Sequence, residues 1–243
     1  MTKKIEPYII HKTATEEIAV DNPEYQKKIQ NEKYLLYLKQ SGIPEFYHTI
    51  EFKDYHGNKE SDEFKKIFYY ANHCHEEKFD HVSLYLYGSN GVQKTAISSN
   101  IGKQAIRNGL RVKFVLAGDL INKLIKLQGY VDYNNEIIQN IYRQVQELKQ
   151  CDLLILDDVG DPEKTLQWKN SPLLTVEWDN FFRELLASKT KIVMTSNFDI
   201  ETFKQYFSQS IFELLDRNTV KIHLTESIKN IRKLNVEKVF EGI

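Results

Sequence analysis

Leu84-Tyr85-Leu86-Tyr87-Gly88-Ser89-Asn90-Gly91-Val92-Gln93-Lys94-Thr95 is an apolar run that ends in a glycine-bearing turn and a Lys-Thr pair. An amphipathic segment follows, with Ile97, Ile101 and Ala105 on one helical face. Strand, turn and helix in that order make a phosphate loop. Glycines let the backbone curl so that successive N–H groups point at phosphate oxygens, and the helix start adds its positive dipole. In this reading Gly88 through Thr95 cradle a polyphosphate, Lys94 reaches its β and γ phosphates, and the Thr95 hydroxyl ligates Mg²⁺. Gln93 stands where glycine usually precedes the lysine. A side chain there crowds the phosphates or strains the backbone, which predicts weakened turnover. The plain rival is a strand–turn–helix that happens to hold these residue types.

Downstream, short apolar runs alternate with helical patterns, the mark of βαβ units and a parallel sheet. The expected strands are Val82–Tyr87, Arg111–Leu116, Leu153–Leu156, Lys191–Thr195 and Val220–Leu224. Helices are expected over Thr95–Asn108, Leu120–Leu127, Glu136–Lys149 and Val176–Ala187. Asn108-Gly109 closes the first helix and Asp119 caps the second.

Leu153-Leu154-Ile155-Leu156-Asp157-Asp158 is a buried-type strand ending in two acids. Carboxylates are costly to desolvate unless a cation or a reacting water lies beside them. Asp157 then holds the Mg²⁺ shell and Asp158 orients or deprotonates an attacking water; a strand end reaching solvent is the alternative. Lys191-Ile192-Val193-Met194-Thr195-Ser196-Asn197 ends at the same sheet edge, where ligands of open parallel sheets bind. Asn197 is placed to donate to the γ-phosphate or that water, or else simply forms a turn. Arg217, in Leu214-Leu215-Asp216-Arg217-Asn218, is a candidate arginine finger, with a surface ion pair to Asp216 or Glu213 as its rival.

Bulk properties set the frame. With 243 residues, 41% hydrophobic and 28% charged, the chain suits one α/β domain with a short appendage. A net charge of −1 gives no overall field toward nucleic acid, so any DNA contact must come from a local patch. The first residues lack a secretory pattern, and no apolar run spans a bilayer, which predicts a cytoplasmic protein. Cys74 and Cys151 stand apart without a disulfide framework, as in a reducing compartment. His73-Cys74-His75 reads as a polar helix end rather than a metal site, because adjacent residues rarely converge on one ion.

Residues 1–40 are polar, with one helix from Pro23 to Gln40 and a stripe of Tyr25, Ile29, Tyr34, Leu35 and Leu38. Ser41-Gly42-Ile43-Pro44 breaks it, and a second helix runs from Ser61 to Glu76. The expected division is 1–40 as an N-terminal helical segment, 41–80 as connector and helix, and 81–243 as the core.

Taken together, Gly42-Ile43-Pro44 with Phe52 and Tyr55, LYLYGSNGVQKT, LLILDDVG, MTSNFD and LLDR make the chain resemble an AAA+ ATPase of the DnaC/DnaI helicase-loader and IstB branch, over about Ser41 to Leu224. The resemblance implies a P-loop NTPase fold, a parallel five-stranded sheet flanked by helices, without a large lid domain. It implies ATP and Mg²⁺ as cofactors, Asn197 as sensor 1, Arg217 acting in trans within a homo-oligomer, and the Gly42–Tyr55 connector beside the adenine. It implies a loader that places a hexameric replicative helicase on single-stranded DNA, in a bacterial or phage-infected cell, the short N-terminal segment suggesting a phage or mobile-element variant. An IstB-like transposition helper and a non-hydrolysing ATP-bound adaptor are the alternatives. Lys103, Arg107, Arg111 and Lys113, with Lys123 and Lys126, form the candidate DNA patch, and Tyr130 and Tyr133 are candidate base-stacking residues.

Overall fold

A computed structural model describes residues 6–12, 16–129, 135–160 and 172–225 of the chain. Five strands make the central sheet: β3 (Ser83–Tyr87), β4 (Val112–Leu116), β5 (Leu153–Asp157), β6 (Lys191–Ser196) and β7 (Thr219–His223). Their order is β4-β5-β6-β3-β7 and every pairing is parallel. All carboxyl ends therefore lie on one edge. Because β6 slots between β3 and β5, the loops that leave these three strands open beside one another.

The central strands are buried on both faces, which is why they read as continuous apolar runs. Alternation then sorts the side chains. Leu84 and Leu86 of β3, Leu153 and Ile155 of β5 and Val193 of β6 enter one core, whereas Tyr85, Leu154, Leu156, Ile192 and Met194 enter the other. The first core is closed by α2 (Asp62–His73) and α3 (Lys94–Arg107), where Ile97, Ile101 and Ala105 are at most 1% exposed, as the helical spacing predicts. The second is closed by α4 (Ala117–Gly129), α5 (Glu136–Lys149), α6 (Pro172–Ala187) and α8 (Gln209–Asn218), the short α7 (Ile200–Phe203) lying between β6 and α8.

Several boundaries differ from the sequence expectation for local reasons. α4 begins directly at the end of β4, so Asp119 lies inside its first turn instead of capping it. Cys74 is fully buried, and burial pushes its thiol up to about 11. His73 meanwhile turns to the Glu76 carboxylate, so the His-Cys-His run diverges and its centre is core rather than a polar helix end. Cys151 is also buried, its thiol pushed up to about 12, which leaves both sulfurs protonated at neutral pH.

The N-terminal segment holds a hairpin that hydrophobic periodicity does not reveal. β1 (Tyr8–Lys12) and β2 (Glu17–Asp21) pair antiparallel, and Asn22 closes the pair by donating to the Pro7 and Glu6 carbonyls while capping α1 (Pro23–Gln40) through Glu24 N. The expected stripe on α1 is only partly covered: Ile29 is 41% and Leu35 47% exposed, Tyr25 and Tyr34 are partly buried, and Leu38 alone is buried. Leu38, with Tyr34 and Tyr37 partly buried beside it, joins the core under α3. The last turns of α1 thus pack with residues 41–80.

Candidate nucleotide site

The loop after β3 is held in an unusual backbone shape. Gly88 (φ +148°) runs so close to the last strand's exit that an added Cβ would stand 2.2 Å from the Leu224 carbonyl oxygen. Gly91 (φ +93°) turns the chain back, and Val92 plugs it into the core at 1% exposure. Gln93 is left-handed (φ 68°, ψ 24°) where glycine is the residue at ease, and it caps α3 without a side-chain hydrogen bond to the helix. Its Oε1 instead accepts from the His56 N–H at 3.1 Å, tying the loop to the connector.

Lys94 opens α3 and folds back over the loop. Its ammonium donates to the Gly88 carbonyl, the Ser89 carbonyl and Asn197 Oδ1, each at 2.8 Å. Burial lowers its proton affinity, and the carboxylates of Asp158 and Asp157 oppose that shift. Thr95 Oγ1 donates to Asp157 Oδ2 at 3.1 Å, and Thr195 Oγ1 donates to Asp157 Oδ1 at 2.6 Å. Thr195 in turn accepts the Asp158 N–H at 2.9 Å, which fixes Asp158 in a left-handed conformation at φ 58°. Asp157 is 4% exposed; burial raises its pKa, and the two threonine hydroxyls hold it down.

Lys94, Thr95, Asp157, Asp158 and Asn197 therefore border a single cleft with Asn90, Gly91 and Gln93. Gly88, Ser89 and Val92 shape the loop around it. These residues are distant in sequence, and it is the strand order that brings the ends of β3, β5 and β6 together. A hydroxyl beside a buried carboxylate is an oxygen donor pair of the kind a hard divalent cation takes, and Asp157 has no cation in direct contact among the described residues. Thr95 and Asp157 are thus the residues that fit Mg²⁺.

Thr195 carries a role that its place in the quoted strand does not announce. Register supplies the missing signal, because Leu156 pairs with Met194 and so sets Asp157 beside Thr195. Phe46 and Tyr47 fall within the Gly42–Tyr55 connector that the resemblance sets beside the adenine, though neither residue is singled out there. They line the cleft from the connector, their rings edge to face at 5.2 Å. Arg217, in the last turn of α8, is exposed and is not among the residues that border the cleft. Its rival role is not realised either, since Asp216 pairs with Lys221 and Glu213 accepts from Gln209.

Four residues of the expected DNA patch, Lys103, Arg107, Arg111 and Lys113, are already engaged within the protein, while Lys126 is exposed and Lys123 partly buried. Lys103 is fully buried and bonded to backbone carbonyls, so it is no phosphate contact. Arg107 pairs with Glu51 at 2.9 Å, Arg111 grips Asp152 with two nitrogens, and Lys113 meets Glu147 at 2.6 Å. Each of these three cations already has a carboxylate partner. Tyr130 and Tyr133 lie outside the described residues. Among the described residues no helix is long and apolar enough to cross a membrane.

Comparison with known proteins agrees with this geometry. The family described as IstB-like ATP binding protein matches residues 24–235. The chromosomal replication initiator protein DnaA of Campylobacter concisus is 30% identical over 137 residues, 53% of this chain and 28% of that protein. The chain thus spans little more than a quarter of that relative's length. Among solved structures, the DnaC helicase loader superposes with a TM-score of 0.60 at 14% identity, over 75% of this chain and 100% of the other. DnaI gives 0.59 at 18% identity, over 76% and 95%. A phosphate loop, an acid pair and a polar strand end converge on one edge of a parallel sheet in the order 4-5-6-3-7, and the matching family spans most of the chain. The chain belongs to the IstB-like ATP binding proteins, and its fold is similar to that of the DnaC helicase loader and of DnaI.

Proposed function

We propose that the protein is an ATP-dependent loader of a hexameric replicative DNA helicase onto single-stranded DNA in replication initiation. The observation that carries the ATP part is the convergence of Lys94, Thr95, Asp157, Asp158 and Asn197 on one cleft. In this role the Lys94 ammonium exchanges its carbonyl partners for phosphate oxygens, Thr95 and Asp157 hold Mg²⁺, and Asp158 takes the proton of the attacking water. Bound Mg²⁺ neutralises charge on the phosphates. Asn197, already bonded to Lys94, reads the end of the triphosphate. Arg217, exposed and without an ion-pair partner among the described residues, serves a neighbouring subunit's cleft in a homo-oligomer.

The helicase part rests on likeness in fold to two loaders and on the N-terminal arm, whose hairpin leaves Tyr8, Ile10 and Val20 exposed. Co-purification with a hexameric helicase, followed by helicase-dependent unwinding of a single-stranded template carrying a duplex, tests it; failure to capture the helicase in either nucleotide state refutes it. The IstB-like family match supports a second reading, a transposition helper that assembles on double-stranded DNA. ATP-dependent assembly on duplex DNA with a transposase, and none with a helicase, selects that reading. Absence of turnover with DNA and partner both present selects a non-hydrolysing adaptor.

A further inference from the structure

Lys103 is the one lysine with 0% exposure among the described residues, and it lies on α3 together with Lys94. A lysine this buried needs partners for three donors. It finds them in three backbone carbonyls of the connector: Tyr47 at 3.0 Å, His48 at 3.3 Å and Ile50. The Glu51 carboxylate lies 3.6 Å away and also takes Arg107 at 2.9 Å. These carbonyls lie at and just after the single 3₁₀ turn Glu45–Tyr47, too short to satisfy its own end groups. The ammonium does so from below. The same turn presents Phe46 and Tyr47 to the cleft, Tyr47 7% and Phe46 44% exposed.

We propose that Lys103 is a positioning residue for the base of the nucleotide: by holding the connector turn it fixes the aromatic pair Phe46 and Tyr47 that lines the cleft together with the phosphate loop. The inference rests on the reading of that cleft as a nucleotide site. Lys94 and Lys103 then divide the ligand between them, one serving the phosphates and the other, through the connector, the base. Burial lowers the proton affinity of Lys103 and the Glu51 carboxylate opposes part of that shift, so the clamp and its counter-charge work as a unit.

The test compares binding of a fluorescent ATP analogue with competition by magnesium tripolyphosphate, which has phosphates and no base, in the full chain. Lys103→Met should weaken the ATP analogue about tenfold, the scale of one lost charged hydrogen bond, and change tripolyphosphate by about twofold at most. Phe46→Ala should show the same split, and the double variant should be no weaker than the worse single, because both act through one turn. Equal losses for both ligands, no loss for either, or additive losses in the double variant overturn the proposal. Should Lys103→Met fail to fold, Glu51→Gln with Phe46→Ala carries the same comparison, with the same results supporting or overturning it. Lys94→Ala, run alongside, must lose both ligands; if it keeps both, the nucleotide reading itself falls, whatever Lys103 does.

Discussion

The cleft edge of the sheet and the N-terminal hairpin are both places where strands run out, yet they are finished in opposite ways. At the cleft, the buried charges are satisfied by polar neighbours: Lys94 has three acceptors, Asp157 two hydroxyl donors, and the backbone N–H of the exposed Asp158 a threonine oxygen. On the hairpin, apolar groups are exposed, with Tyr8 at 58%, Ile10 at 60% and Val20 at 46%. A cleft prepared without its ligand avoids the cost of ordering charges at the moment of binding. A two-stranded hairpin buries too little to be stable alone and holds on through Asn22 and α1. Chemistry is thus confined to where the core can organise polar groups, and the arm's apolar surface suits it to be covered by a partner.

Arg217 is exposed like the arm yet assigned to the chemistry of the cleft, so it is the residue on which this contrast can fail outright. Arg217→Ala should reduce assembly-stimulated ATP turnover by roughly a thousandfold, the scale of an arginine finger, with nucleotide affinity unchanged. Turnover that stays stimulated returns Arg217 to the surface. Within the cleft, Lys94→Ala should weaken ATP binding by about a hundredfold, because two or more charge-assisted hydrogen bonds to phosphate are lost; calorimetric titration reads it.

Truncation locates the boundary between the two regions. A chain lacking residues 1–22 should melt with the full-length protein and lose the proposed helicase contact. A chain lacking residues 1–40 should also lose about 3 kcal/mol of unfolding free energy in urea, since it gives up buried Leu38. Equal stability of the two truncations would show that α1 belongs wholly to the arm.

Asp157 shows the cost of preparing the cleft. Its folded pKa is raised by burial above the ordinary 3.8, so its favourable contribution exists below that value and is lost as pH rises through the folded value. At neutral pH the ionised carboxylate is therefore a burden in the ligand-free protein. Asp157→Asn should raise the ligand-free thermal midpoint at neutral pH, with the gain fading as pH falls through the raised folded pKa and gone by 3.8, and should abolish the stabilisation given by Mg²⁺ with ATP. Smallest of all, Gln93→Gly should leave stability within about 1 kcal/mol, because relief of a left-handed side chain offsets the lost His56 bond. A several-fold rise in turnover in that variant would assign the crowding to Gln93.

Much of the fold is legible in the chain. The five core strands lie within one residue of their expected bounds, since continuous apolar runs bounded by turn chemistry have few other homes. The hairpin is not legible, because its exposed Tyr8, Ile9 and Ile10 carry no burial pattern to read. Lys103 shows the limit most clearly. A lysine near Arg107, Arg111 and Lys113 has the composition of a basic patch, and only the connector folding beneath α3 turns it inward.

The phosphate loop, the acids at the end of β5 and the polar end of β6 are written in neighbouring residues, where local chemistry and strand periodicity suffice to specify them. Assembly of the sheet was needed before Thr195 could bridge Asp157 and Asp158, before Phe46 and Tyr47 could wall the cleft, and before Lys103 could act as a clamp. Those roles depend on the order in which strands pair and on carbonyls some fifty residues away, and neither register nor burial exists until the strands and the connector have come together.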